Sequence, residues 1–134
     1  MITEDYVSFE TAKLLKDKGF NERLLTFYIT DEFKKGGCFQ LMAFTDDKID
    51  NNHSDHCYLA PTLQMAMKWL REVQNLFIFP FPQVNTSKFW VEIYQLSDNQ
   101  EWENLYCESI DLQDYSTYEQ ACEAAIKYCL ENLI

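Results

Sequence analysis

Apolar residues along this chain fall into alternating runs of helical and strand spacing. Over residues 8–18, Phe9, Ala12 and Leu15 share one helical face, with Ser8 as the capping residue and Gly19 as the stop. Phe20 follows the stop, placed to fold back onto the helix. Leu24-Leu25-Thr26-Phe27-Tyr28-Ile29 is rich in β formers and predicts a strand; Lys34-Lys35-Gly36-Gly37 reads as a turn and residues 38–44 as the returning strand. Residues 45–58 carry Asp, Asn and His in place of core formers and predict an exposed loop, long enough to be functional or mobile.

The second half follows the same logic. Leu63, Ala66, Met67, Leu70 and Val73 make one stripe of a helix over residues 62–75, with Trp69 beside it. Leu76-Phe77-Ile78-Phe79 predicts a short buried strand or an extension, ended by Pro80 and Pro82. Residues 89–96 form the strongest strand pattern, and 97–100 a turn signal. Residues 101–107 alternate, with Trp102 and Tyr106 on one side and Glu101 and Glu103 on the other, so this segment should pair with its predecessor as a hairpin. Ser116 and Glu119 fit a capping box that opens a helix over 117–132. Its buried stripe is Tyr118, Ala121, Cys122, Ala125, Cys129 and Leu133, and its alanines imply a close approach to a sheet.

The order α-β-β-α-β-β-β-α, with hairpins dominating, predicts a single α+β domain over residues 1–134: a mainly antiparallel sheet with about three helices on one face. There is no regular repeat. Thr62 to Ala66 and Thr117 to Ala121 share a Thr-x-x-x-Ala helix opening, the one internal echo in the chain.

Composition narrows the class. Ten Phe, eight Tyr and three Trp in 134 residues are far too many aromatics for a disordered chain. No apolar run approaches the roughly 18 residues of a membrane helix. The acidic first residues and the amphipathic stretch after them do not read as a leader. Five cysteines form no CxxC pair. Cys122 and Cys129 lie two helical turns apart, about 10 Å, too far for a disulfide. Buried thiols in a reducing cytoplasm fit this pattern. The net charge of -11 disfavours nucleic-acid binding. The acidic excess sits in residues 97–134, which hold nine Asp and Glu against Lys127. It reads as a solvated face or as a contact surface for a basic partner.

Three stretches carry a resemblance. Residues 60–73, starting Ala60-Pro61-Thr62 and including Trp69-Leu70-Arg71, resemble small uncharacterised proteins of gut Bacteroides and their phages or mobile elements. The start, Glu4 to Glu10, and the end, Tyr118 to Leu130, are similar to the same group. The resemblance implies a cytoplasmic accessory protein and carries over no catalytic residue. Residues 21–58 lie outside it.

Candidate chemistry is sparse. His53, Asp55, His56 and Cys57 are the one dense cluster of metal-ligand types, and no second His/Cys pair elsewhere would complete a structural zinc site. Asp46, Asp47, Asp50 and the neighbouring asparagines lack the glycine and the closing glutamate of an EF-hand loop. Three glycines leave no phosphate-binding loop, and no Gly-x-Ser-x-Gly is present. Most of the aromatics between 77 and 106 read as core; the interior of a chain this size is limited, so several are expected at the surface, where exposed aromatic patches mark interfaces. The expected function is a non-catalytic protein-binding module without a cofactor. Its partner would be another protein or a second copy of itself, bound through Phe79, Phe81 and Trp90 with Glu101, Glu103, Glu108, Asp111 and Asp114 as an acidic rim. The alternative is a small-ligand or metal-binding protein, or a weak hydrolase, built on the 45–58 loop.

Overall fold

The computed structural model describes residues 1–31, 38–43, 48–52, 54–107 and 115–134, with backbone alone for 31 and 38–43. The turn expected at 34–37, His53, Glu108, Asp111 and Asp114 lie outside the described residues. The fold is α+β, with three helices and two small antiparallel sheets. The chain divides into two compact units, Met1–Thr62 and Leu63–Ile134.

The first unit opens with α1 (Phe9–Asp17), where Ser8 Oγ accepts the Thr11 N–H at 3.2 Å, as a cap should. Gly19 takes φ +91°, a conformation that costs a side chain strain. The amides of Gly19 and Phe20 then donate to the carbonyls of Lys16 and Leu15, which closes the helix end. Phe20 does fold back, and it is fully buried with Val7, Ala12, Leu15, Phe27 and Leu59.

Three strands follow: β1 (Thr26–Asp31), β2 (Cys38–Ala43) and a short β3 (Cys57–Leu59), in the order β2-β1-β3. The expected order of elements holds, with β3 added inside what the sequence predicts to be loop. Much of that loop is built into the fold. Ile49 pairs with Leu24 through two backbone bonds, and both Ile49 and Asn51 are buried. Asn51 stands in for a strand: its amide donates to Phe20 O at 2.5 Å and its Oδ1 accepts the Leu59 N–H at 3.0 Å. A lone isoleucine and an asparagine in a polar run carry no periodic signal, so the sequence conceals both. Lys16 reaches over from α1, donating to the carbonyls of Ser54 and Cys57 and lying 4.7 Å from the Tyr58 ring centre.

The second unit carries α2 (Leu63–Gln74), β4 (Leu76–Pro82), β5 (Phe89–Leu96), β6 (Trp102–Cys107) and α3 (Tyr118–Tyr128), which widens into a π-helical turn over Cys129–Leu133. Both α2 and α3 pack on β4, and α3 also on β5. Trp69, expected beside the stripe of α2, is buried at 5%, whereas Val73 is 56% exposed. The helix closes one residue beyond its end at Asn75, which sits at φ +58°. Its side-chain amide donates to Leu96 O. The cap of α3 is Thr117, one residue later than expected: Thr117 Oγ1 accepts the Gln120 N–H, and the Gln120 side chain accepts the Ser116 N–H. Both overlapping Ser/Thr-x-x-Glu/Gln frames satisfy the box, and the frame that buries Ala121, Cys122, Ala125 and Ile126 is the one adopted. Tyr118, expected on that stripe, is 37% exposed.

Pro80 and Pro82 do not end the strand; both belong to β4, which among the described residues pairs with β5 alone, in the order β4-β5-β6. The Gln83 amide donates to Lys88 O, so odd-numbered residues of β4 face the β5 ladder and even-numbered ones turn their amide positions to the free edge. A proline at such a position forfeits no ladder bond.

The two sheets differ in strand order, with the first strand central in one and the second central in the other. The shared helix opening is therefore not the trace of a duplicated sheet.

Cys122 and Cys129 are buried, and burial pushes their thiols up to about 11 and about 12. At pH 8 on the order of one Cys122 thiol in a thousand, and fewer at Cys129, is then the reactive thiolate. Iodoacetamide at that pH should leave both unmodified until denaturant is added, while half-buried Cys57 and Cys107 react first, as read by mass spectrometry. The same shifts make folding favour the protonated thiols. Stability from these groups is complete below the unfolded thiol range near pH 8.5 and falls as pH rises toward 11–12.

Candidate functional site

The pleat of β4–β6 sorts its side chains onto two faces. Leu76, Ile78, Val91 and Ile93 are buried on the face that takes the helices. The opposite face follows from the register: Phe77 faces Tyr94, Phe79 faces Glu92, and Phe81 faces Trp90. On the other side of β5, Leu96 faces Trp102. This face is strongly aromatic and partly open, with Phe79 at 39%, Phe81 at 36% and Trp102 at 54% exposed.

A bulge in β6 shapes the face. The pairing runs Tyr94 to Asn104 and then Ile93 to Tyr106, so Leu105 is the extra residue and alternation reverses there. Trp102 and Tyr106, expected on one side, therefore lie on opposite faces. Tyr106 stacks on Tyr128 of α3 with ring centres 4.0 Å apart, while Trp102 joins the open face. The same reversal brings Cys107 onto the open side, opposite Glu92.

Rings pack edge to face around Trp102: Phe77 at 4.8 Å, Phe79 at 6.5 Å and Tyr94 at 6.5 Å between centres. Phe79 meets Tyr94 at 5.7 Å, and Phe81 stacks on Trp90 at 4.8 Å. Among these rings lies an open groove of about 340 Å³ lined by Phe79, Phe81, Glu92, Tyr94 and Trp102. Glu92 is its one ionisable carboxylate. It is half-buried and held from two sides: Oε2 accepts the Tyr94 hydroxyl at 3.1 Å, and Oε1 accepts the Cys107 thiol at 3.2 Å.

The residues singled out in the sequence are thus dispersed. Phe79 and Phe81 line the groove, and half-buried Trp90 stacks on Phe81 from the neighbouring strand. Glu101 lies in the hairpin turn, and Glu103 pairs with Gln95, one step out of phase with Trp102; both are exposed. Glu92, Tyr94 and Trp102 complete the groove and were not among the expected binding residues. The signal for them was the shared parity of Trp90, Glu92 and Tyr94 on β5; the bulge hid how β6 joins them.

The 45–58 segment offers a different picture. Asp55 and His56 are exposed, and half-buried Cys57 is the first residue of β3, its carbonyl taken by Lys16. The His56 carbonyl accepts the Thr30 amide, so this backbone serves the sheet. Among the described residues no three His, Cys, Asp or Glu side chains converge on a point where they would hold a metal ion. Among them, too, no helix is long and apolar enough to cross a membrane.

No family model matches the chain, and neither the curated proteins nor the solved structures contain a significant match to it.

Proposed function

We propose that the chain is a non-catalytic protein-binding module whose contact surface is the open aromatic face of the β4–β6 sheet. The observation that carries this reading is the exposure of Phe79, Phe81 and Trp102 around one groove. Large aromatic side chains displayed together are enriched at interfaces and supply their hot spots. On the resemblance carried by its sequence, we propose that this module acts in the cytoplasm as an accessory protein of gut Bacteroides or of their phages or mobile elements.

The test is a nuclease-treated pull-down from a Bacteroides lysate, at low and high salt, with wild type and with Phe79→Ser/Trp102→Ser. Circular dichroism and a thermal melt establish that the variant is folded. The expected result is one stoichiometric partner, captured less as salt rises, and captured about 30-fold less by the variant. Equal capture by the folded variant, or no capture by wild type, would reject the reading.

A further inference from the structure

We infer that the groove over Glu92 takes a cationic side chain, an arginine presented by the partner polypeptide. This inference rests on the binding-module reading and specifies its chemistry. Phe79, Tyr94 and Trp102 stand nearly perpendicular to one another, with interplanar angles of 76°, 77° and 86°. The three rings line one groove, and a cation over the electron-rich face of such a ring is attracted by its quadrupole. The groove also holds a carboxylate. Glu92 forms no ion pair with a described lysine, arginine or histidine, so its charge has no cation from those residues. Tyr94 and Cys107 fix it in place, and each carboxylate oxygen keeps a lone pair for a further donor.

No basic residue among the described ones lines the groove, and the chain as a whole carries a charge of -11. An anionic ligand would meet repulsion there, and a neutral apolar one would desolvate Glu92 further with two neutral hydrogen bonds and no counter-charge to offset it. Between the two common cations, the groove favours arginine. A guanidinium is planar and weakly hydrated, stacks on aromatic faces and offers a fork of N–H donors to a carboxylate. A lysine ammonium is more strongly hydrated and loses more on entering an apolar groove.

The experiment is an NMR titration of the isotope-labelled full chain with a blocked Gly-Gly-Arg-Gly-Gly peptide, beside the neutral isostere containing citrulline. The arginine peptide is expected to give saturable shifts at the Trp102 indole N–H and the Glu92 and Tyr94 amides. The citrulline peptide should bind about tenfold more weakly. Glu92→Gln preserves the shape and the Tyr94 bond, and should weaken the arginine peptide about tenfold while leaving the citrulline peptide unchanged. Phe79→Leu, which keeps apolar volume but removes a ring face, should weaken the arginine peptide about fivefold. Equal affinity for the two peptides, no saturable shift up to about 20 mM peptide, or an unaltered Glu92→Gln variant would overturn the inference. The lysate capture separates the two readings. If Glu92→Gln captures the partner as wild type does while Phe79→Ser/Trp102→Ser does not, the arginine site fails and the aromatic face stands. If both variants capture it fully, both readings fail.

Discussion

Phe20→Ala is expected to destabilise the first unit by about 4 kcal/mol, the range for deleting a buried aromatic ring. The ring is fully buried, so the lost transfer free energy is near its maximum and a cavity remains where it stood. The loss comes from the side chain alone, because the Phe20 amide bond to Leu15 O survives in alanine. Gly19, at φ +91°, fixes the direction in which residue 20 leaves the helix. The smaller side chain is therefore held at the same point, and the core has little freedom to close over the gap. Phe20→Leu, which keeps most of the volume, should lose only about 1 kcal/mol. Urea denaturation of both variants measures the difference, and a loss below about 1 kcal/mol for alanine would mean that the site collapses around the deletion.

Asn51→Ala is expected to lose about 3 kcal/mol although it removes little apolar area. Asn51 satisfies two backbone groups in the interior, the Phe20 carbonyl and the Leu59 amide. Alanine withdraws both bonds in the interior, which is costlier than the loss of two exposed hydrogen bonds. Asn51→Asp separates the two contacts. A carboxylate still accepts the Leu59 amide but opposes the Phe20 carbonyl, and burial favours its protonated form. That variant should be most stable below about pH 4 and lose stability as pH rises toward neutrality, a slope the parent lacks at this site. Hydrogen exchange at the Leu59 amide gives an independent reading. Protection there that is unchanged in Asn51→Ala would show that the side chain is dispensable.

These two residues also show where sequence reasoning succeeds and where it stops. Phe20 was legible because a glycine stop followed by an apolar residue is a local pattern with a local cause. Asn51 was not, because its partners lie 31 and 8 residues away and its neighbours are polar. The α3 cap slipped by one residue because two frames of the same box overlap. Helix burial then decided between them, and that is a tertiary fact. The same contrast governs the candidate site. Phe79 and Phe81 were legible as members of the aromatic-rich stretch between 77 and 106. Glu92, Tyr94 and Trp102 needed the register of three strands and a bulge that reverses alternation in mid-strand. No pattern within one strand encodes that.

Pro80 and Pro82 also determine how the second sheet can grow. A free strand edge is a template, ready to accept a foreign strand or another copy of itself on the way to a stacked fibril. Along β4 two successive outward positions have no N–H to give, so an incoming strand finds carbonyls without matching donors. Strand addition is hindered over the half of that edge that holds Pro80 and Pro82. Yet the prolines hold the backbone extended, so Phe79 and Phe81 remain turned out on the broad surface. That stretch of β4 thereby separates two kinds of stickiness that usually travel together: side-chain recognition is kept, and backbone pairing along its proline half is hindered.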